Sequence, residues 1–128
     1  VGERLCNAKV HDHGLRVAYL DLDAHHGDGV QWLFYDDPRV MTLSLHQDGR
    51  TLFPGSGHIG ELGEGRARGT SINVPLAPHS TDADLLGAYE RVVPAAEELA
   101  TRITSHGQRL RAAVGRRLAL ARRRPRSL

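Results

Sequence analysis

Acidic and imidazole side chains are concentrated in one short segment, Asp21-Leu-Asp-Ala-His-His-Gly-Asp-Gly29. The segment follows an apolar run that is typical of a β-strand, and ligands of open parallel sheets bind where the strands end. Because side chains alternate along an extended chain, Asp21, Asp23 and His25 have the same parity and can converge on one side. A carboxylate and an imidazole two residues apart suit a divalent metal such as zinc, which accepts oxygen and nitrogen ligands.

An Asp-rich turn after a strand also has a second interpretation. Such side chains can cap a helix, here the one predicted to begin near Gly29, through its free N–H groups and its macrodipole. Several charges at an apolar strand end are costly without a compensating cation, which favours the metal interpretation. Spacing alone leaves both interpretations open.

The elements that position this segment follow from the apolar pattern. Three apolar runs predict buried strands, over residues 17–22, 40–45 and 70–76. The first two show no alternation to water, as expected of strands buried on both faces. Between them, Val30, Leu33 and Phe34 form one stripe of a short helix. Strand, helix and strand make a βαβ unit, and the sequence therefore predicts a parallel α/β sheet.

Two features connect and follow the later strands. Residues 47–69 are rich in glycine and predict a long loop, and loops of that length are commonly functional or disordered. Thr81 and Asp84 then resemble a capping box, with Asp84 in place of the usual Glu. A helical apolar face follows, made of Leu85, Tyr89, Val92, Val93, Ala96 and Leu99.

Composition is that of a globular protein with one core: 128 residues, 40% of them hydrophobic and 25% charged. No apolar run approaches the ~20 residues of a membrane span, and no signal peptide is visible at Val1. The single cysteine, Cys6, excludes an intramolecular disulfide and is typical of a reducing compartment. We therefore predict a cytoplasmic protein without a membrane partner.

Charge divides the chain into two unlike parts. Residues 1–100 hold 8 Lys and Arg against 15 Asp and Glu, a balance of −7, whereas residues 101–128 hold 9 Arg and no acid, a balance of +9. We predict a partial domain over residues 1–100 and an Arg-rich tail over residues 101–128. The tail is interpreted as disordered or as sequence unrelated to the domain, such as a shifted reading frame. Binding of nucleic acid or membrane by a cationic helix ranks below these, because it rests on charge alone.

Residues 16–99 resemble an internal piece of the zinc-dependent deacetylases of the histone deacetylase and acetoin-utilization superfamily, closest to the bacterial acetoin-utilization proteins. Three long motifs in the same order and at the same spacing carry the resemblance, over residues 17–31, 34–46 and 52–57. Gly63-Glu-Gly65, residues 73–76 and the helix after Thr81 continue it. The resemblance implies part of an arginase/deacetylase fold, with three layers and helices on both faces of the sheet.

The resemblance also implies roles for individual residues. Asp23 and His25 match two of the family's three zinc ligands, a site that Fe²⁺ can also occupy. Asp21 and Asp28 match the acids that orient the two histidines of the catalytic pair, with Asp28 serving the general base. Phe53 matches an aromatic wall of the acyl-lysine channel, although the residues alone favour ordinary packing for it.

A structural K⁺ is implied as well. Its ligands match the Asp21 and Ser44 side chains and the main-chain carbonyls of Asp23, His25 and Leu45. A physical argument supports the same site, since a carboxylate buried between two strands needs a partner. His26 is not a member of the catalytic pair, and we interpret it as a supporting residue.

The implied reaction removes acetyl groups from acetylated lysine or from an acetylated small amine. In the family, zinc polarises the amide carbonyl and activates water, a His–Asp dyad removes the proton, and a tyrosine helps to stabilise the oxyanion.

This chain departs from the family pattern in its proton-transfer groups. The histidines before Asp21, His11 and His13, are in the wrong context for the catalytic pair. No Asp follows Asp84 to serve as third zinc ligand, and Ser105-His-Gly-Gln108 only faintly resembles that loop. The tyrosines that fail to match the oxyanion residue are Tyr19, Tyr35 and Tyr89. The sequence therefore predicts a fragment of such an enzyme or, alternatively, a non-catalytic remnant with a weak metal half-site.

Overall fold

The computed structural model describes Arg4, residues 8–96, Glu98 and Thr101. The chain forms two compact units, residues 1–93 and residues 94–128. In the second unit, residues 94–96, Glu98 and Thr101 are helical. Cys6, Leu99 and residues 102–128 lie outside the described residues, so the predicted boundary at residue 100 and the predicted character of the tail stay predictions.

Three parallel strands form one sheet in the order β1-β2-β3, which confirms the predicted parallel α/β sheet. The strands are β1 (Val17–Asp21), β2 (Val40–Gln47) and β3 (Ser71–Leu76). The register aligns Asp21 with Ser44, and Ser44 with Asn73. Because register partners in a sheet point to the same face, these three polar side chains form one row across it.

Helices lie on both faces of the sheet, as predicted for a three-layer arrangement. Helix α1 (Asp28–Leu33) follows β1, and helix α2, over residues 82–96, follows β3. On the face of the polar row, one core cluster forms from Val10, Val30, Phe34 and Val40, with Val17 and Tyr19 packed against it. On the opposite face, a cavity of about 480 Å³ is lined chiefly by apolar side chains: Leu20, Leu22, Leu85, Leu86 and Tyr89.

The edge strand β1 differs from its prediction. It was expected to be buried on both faces, yet its residues alternate between half-buried and exposed. Leu20 is 39% exposed and Leu22 46%. The reason is that β1 has one neighbouring strand and that no described element fully covers the face carrying Leu20. The middle strand β2 is buried from Val40 to Leu45, as predicted, and the burial continues to His46.

Helix α1 also buries a different stripe from the predicted one. Val30 and Phe34 are buried, but Leu33 is 48% exposed and Gln31 only 2%. The Gln31 amide enters the interior because its polar atoms find hydrogen-bond partners there, which removes the cost of burying them.

The remaining elements connect the strands. A π-helical turn, Ala8–Asp12, precedes β1, and the long loop between β2 and β3 contains a short 3₁₀ helix, Gly65–Ala67. The predicted capping box is present: the Thr81 N–H and hydroxyl both donate to Asp84 Oδ2 at 2.8 Å, and the Asp84 N–H donates to Thr81 Oγ1 at 3.4 Å. Within the described part of the chain, no helix has both the length and the apolar character needed to cross a membrane.

Candidate functional site

Asp23 and His25 lie in the turn that follows β1 and face each other. Asp23 Oδ1 is 3.1 Å from His25 Nδ1 and also accepts the backbone N–H of His25 at 2.8 Å. Both side chains are exposed to solvent. Hydrogen bonds from the His25 backbone and then from its ring lower the pKa of Asp23, so this side chain is a carboxylate at neutral pH.

The pair fits a zinc ion in donor type and in spacing. Two ligands of one tetrahedral zinc, each at ~2.0–2.1 Å, lie roughly 3.3 Å from each other. The observed 3.1 Å between Asp23 Oδ1 and His25 Nδ1 is close to that separation. Among the described residues, no group of three or more His, Cys, Asp or Glu side chains could hold a metal. The described part of the chain therefore offers this pair of candidate ligands, where a catalytic zinc ordinarily has three.

Asp21 is a half-buried carboxylate at the end of β1. Its Oδ1 accepts the Asp23 N–H at 3.1 Å, and its Oδ2 accepts the Tyr19 hydroxyl at 3.2 Å. The main chain at Gly27 passes so close that a Cβ there would overlap Asp21 Oδ2. The ion pairs of the described residues include no Lys or Arg on Asp21, so a cation between this carboxylate and its register partner Ser44 fits the donors present.

Helix capping does not account for Asp21 and Asp23. The N-cap residue of α1 is Gly27, and no side chain caps this helix. The two carboxylates instead accept hydrogen bonds within the turn itself. Only Asp28, in the first turn of α1, lies where the helix dipole favours a negative charge, and its Oδ1 accepts the Gly29 N–H at 2.8 Å.

Ser44 and His46 extend the site into the interior along β2. Both are buried, and Ser44 Oγ is 2.8 Å from His46 Nδ1. On the other side of the ring, His46 Nε2 is 3.0 Å from the carbonyl oxygen of Gly57. Burial is the main cause that lowers the pKa of His46, which keeps the imidazole neutral at pH 7.

A set of hydrogen-bonded side chains, here called the interior polar cluster, joins α1, the long loop and β3. Its members are His26, Gln31, Ser56, Glu61, Ser71 and Asn73. Gln31 is at its centre. The Gln31 Oε1 atom accepts from His26 Nε2 at 3.0 Å, from Ser71 Oγ at 2.9 Å and from Asn73 Nδ2 at 2.7 Å, while Gln31 Nε2 donates to Glu61 Oε2 at 2.6 Å.

The cluster also anchors the long loop. His26 Nδ1 is 2.8 Å from Ser56 Oγ, and the Glu61 carboxylate accepts the Gly57 N–H at 3.1 and 3.0 Å. Burial raises the pKa of Glu61, but hydrogen bonds from Gln31 and from the N–H groups of His58 and Gly57 outweigh it and leave this pKa below its usual value. His26, interpreted from the sequence as a supporting residue, is buried between the turn after β1 and the long loop.

Phe53 does not pack into the interior. Its side chain is 79% exposed on the long loop, and Ile59 on the same loop is 72% exposed. Ordinary packing, which the residues alone favoured for Phe53, is therefore wrong for the described structure. The role in a substrate channel stays a prediction.

A cavity of about 340 Å³ opens at the carboxyl ends of the three strands. Asp23 lines it from the turn after β1, His46 and Gln47 from β2, and Leu76 from β3. The location agrees with the rule that ligands of parallel sheets bind beyond the strand ends.

Sequence reasoning did not identify His46, Gln31 or Glu61 as parts of the site. One signal was available in the strands, because Ser44 and His46 are polar residues at alternate positions of a strand that otherwise predicts a buried apolar run. Such alternation marks one face of a buried strand as polar. Nothing local to Gln31 or Glu61 indicates their partners, which are distant in sequence.

Comparison with known families identifies residues 5–102 with the histone deacetylase domain. The acetoin utilization protein AcuC of Bacillus subtilis is 54% identical over 77 residues, which are 60% of this chain and 20% of the relative. The AcuC protein of Staphylococcus aureus strain Mu50 is 49% identical over 82 residues, 64% of this chain and 21% of the relative. The chain thus spans about a fifth of the length of these curated relatives.

Solved structures give the same result for the fold. A histone deacetylase homologue from Aquifex aeolicus superimposes with a TM-score of 0.67 and 41% identity, over 70% of this chain and 24% of that one. The acetylpolyamine aminohydrolase of Burkholderia pseudomallei superimposes with a TM-score of 0.58 and 38% identity, over 67% of this chain and 25% of that one.

Proposed function

The chain belongs to the histone deacetylase domain family, and on that basis we propose that it is part of a zinc-dependent amidohydrolase that removes acetyl groups from acetylated lysine or a related small amine. The observation that carries the proposal is the facing pair of Asp23 Oδ1 and His25 Nδ1 at the end of a parallel strand. The chain has a single cysteine and so forms no internal disulfide, which supports a location in the reducing cytoplasm.

The residues of this chain have two tasks in the proposed reaction. Asp23 and His25 would hold the metal through Asp23 Oδ1 and His25 Nδ1, and the ion would replace the proton that these two atoms share in the metal-free chain. Asp21 and Asp28 accept N–H groups of the histidine pair that the complete site requires, and so fix the orientation of those rings. When bound, zinc supplies a Lewis acid for the amide carbonyl and lowers the pKa of water. Fe²⁺ accepts the same donors and is the alternative metal.

A monovalent cation, K⁺, belongs to the same proposal. Its ligands are the side chains of Asp21 and Ser44 and the carbonyls of Asp23, His25 and Leu45. The half-buried Asp21 carboxylate and its register position beside Ser44 support this assignment. The cation would neutralise Asp21 and so compensate for the half-buried position of this carboxylate at the end of β1.

The exposed Phe53 ring supports a role in the substrate channel. An aromatic ring that is 79% exposed on the long loop is available to pack against the aliphatic stem of an acyl-lysine or acylated amine.

A second candidate function is that of a non-catalytic remnant with a weak metal half-site. Among the described residues no third metal ligand joins Asp23 and His25, which favours this alternative for the 128-residue chain on its own. Both proposals assign the half-site to Asp23 and His25. They differ in whether the protein hydrolyses an acetylated amine or only binds metal weakly.

Zinc titration calorimetry tests the half-site. We expect the wild-type chain to bind one zinc weakly, because a catalytic zinc ordinarily has three protein ligands. Either Asp23→Asn or His25→Ala should weaken binding by ~10-fold or more, which corresponds to ~1.4 kcal/mol. The controls are Asp36→Asn and His58→Ala, which change exposed residues of the same types outside the turn. Tight 1:1 binding that survives the double change Asp23→Ala and His25→Ala would refute the assignment.

A further inference from the structure

One side chain connects the proposed cation site to the long loop. The two ring nitrogens of His46 face Ser44 Oγ at 2.8 Å and the Gly57 carbonyl oxygen at 3.0 Å. His46 is 1% exposed, so water does not compete for either nitrogen. The ring therefore lies between a proposed cation ligand on β2 and the main chain of the loop.

The partners of His46 fix where its proton lies. A carbonyl oxygen only accepts hydrogen bonds, so His46 Nε2 carries the proton and donates it to Gly57. A second proton would place a positive charge on a buried ring whose hydrogen-bond partners, Ser44 and the Gly57 carbonyl, are uncharged, so the ring carries one proton and Nδ1 is a bare acceptor. The Ser44 hydroxyl must then donate its proton to His46 Nδ1, which leaves the lone pairs of Ser44 Oγ available.

This orientation matters because of the neighbour of Ser44 on β1. Asp21 is its register partner, and its carboxylate is a strong acceptor on the same face of the sheet. Without an acceptor at position 46, the Ser44 hydroxyl would turn its proton toward Asp21, and this proton would lie in the space between the two oxygens that the cation would occupy.

We infer that His46 is a positioning residue for the cation site, which holds the Ser44 hydroxyl proton away from Asp21 and couples cation binding to the anchoring of the loop at Gly57. The inference rests on the proposed function, since it requires the K⁺ site of Asp21 and Ser44. The coupling is reciprocal: a cation that fixes Ser44 stabilises the ring position that holds Gly57, and release of Gly57 weakens the cation site.

The Gly57 end of this connection is closely packed. Gly57 has φ +86°, and a Cβ there would lie 2.7 Å from His46 Cε1 and 2.8 Å from His26 Cγ. The His58 N–H, which belongs to the same peptide unit as the Gly57 carbonyl, donates to the Glu61 carboxylate, so this carbonyl cannot turn away from His46 without breaking a second contact.

Two variants of His46 each remove one of its two hydrogen bonds and keep the other. In His46→Asn the amide oxygen takes the place of Nδ1 and still accepts from Ser44, but the bond to Gly57 is lost. In His46→Gln the amide group lies near the place of Nε2 and still donates to Gly57, but the acceptor for Ser44 is lost. Ser44→Ala removes the hydroxyl itself and serves as the reference for a lost ligand.

The measurement is the rise in the thermal unfolding midpoint with KCl, at constant ionic strength maintained with choline chloride. We expect the apparent Kd for K⁺ to increase ~10-fold or more in His46→Gln and in Ser44→Ala, and to stay within ~3-fold of wild type in His46→Asn. A merely structural role would lower the midpoint of each variant but leave the Kd for K⁺ unchanged, and that result would overturn the inference.

Trypsin provides the second readout, through cleavage after the exposed Arg50 in the long loop. K⁺ should slow this cleavage in the wild-type chain and lose its effect in His46→Asn, in which the loop is no longer bound to the ring. If His46→Gln fails to fold, Ser44→Ala decides: cleavage that still responds to K⁺ as in wild type contradicts the coupling. Absence of any K⁺ effect on the wild-type chain also overturns the inference, and the zinc titration of Asp23 and His25 shows separately whether the proposed function fails with it.

Discussion

The imidazole rings of His26 and His46 lie with their centroids 4.7 Å apart and their planes inclined by 43°. His26 belongs to the turn after β1 and His46 to β2, so this contact joins the candidate metal turn to the middle strand. The main chain of the long loop passes against both rings at Gly57, where a Cβ would overlap both of them.

Gly57→Ala should therefore destabilise the fold by about 2–4 kcal/mol, from the left-handed backbone conformation and the overlap with both rings. Gly60→Ala is the matched control, because nothing lies within 4 Å of a Cβ at Gly60 in the same loop. Urea unfolding followed by circular dichroism measures both. Equal stabilities of the two variants would show that the loop does not pack against the rings.

Replacement of Glu61 tests the pH dependence of stability. Since hydrogen bonds leave the folded-state pKa of Glu61 below its unfolded value, the carboxylate contributes stability that is fully present above the unfolded pKa and is lost as the pH falls through the folded pKa. Glu61→Gln should cost about 1–3 kcal/mol at pH 7 and lose less stability than wild type on going to pH 3. Unfolding midpoints at pH 7, 5, 4 and 3 give the comparison. Glu64→Gln, at an exposed position nearby, should follow the wild-type curve.

On helix α1 the polar Gln31 is buried and the apolar Leu33 is half-exposed, the reverse of the usual arrangement. A pair of substitutions tests this. Gln31→Leu leaves its partners in the interior polar cluster without their hydrogen bonds and should cost about 2–4 kcal/mol. Leu33→Gln changes a half-exposed side chain and should stay within about 1 kcal/mol. Chemical denaturation measures both, and a stabilising effect of Gln31→Leu would contradict the described cluster.

The sheet and the capping box could be predicted from the sequence because their signals are local. The apolar runs at residues 40–45 and 70–76 and the pair Thr81 and Asp84 lie within a few residues of the structure that they form. The exposure of β1 could not be predicted, because a strand's own residues do not show what covers its faces.

The candidate site was predicted only in part for a similar reason. Asp21, Asp23 and His25 could be found from their spacing, since a turn brings them together. Gln31 was missed because helical periodicity assigns the interior to apolar residues, whereas its partners Glu61, Ser71 and Asn73 come from other elements. The metal and cation roles of Asp21, Asp23 and His25 stay predictions.

The 128-residue chain should show no measurable deacetylase turnover. A missing general base lowers the rate by ~10²–10⁴-fold, and a missing oxyanion donor lowers it by a further ~10²–10³-fold. A fluorogenic acetyl-lysine peptide and zinc-loaded protein provide the assay, with His25→Ala as control. Turnover well above the control would mean that a residue of this chain replaces the histidine pair. The two candidates are His46, which is buried in β2, and the exposed His58 of the long loop.

The interior polar cluster has a consequence for the order of folding. The bonds of Gln31 to Glu61, Ser71 and Asn73 span 30, 40 and 42 positions of sequence, so each must close a long loop before it forms. Contacts between residues so far apart in sequence lower the free energy only after the strands have paired, and the pairing of parallel strands is itself slow. Substitutions at Gln31 or Glu61 should therefore accelerate unfolding while refolding keeps nearly its wild-type rate. The side chains that hold the long loop beside the turn after β1 thus form their contacts late in folding and lose them early in unfolding.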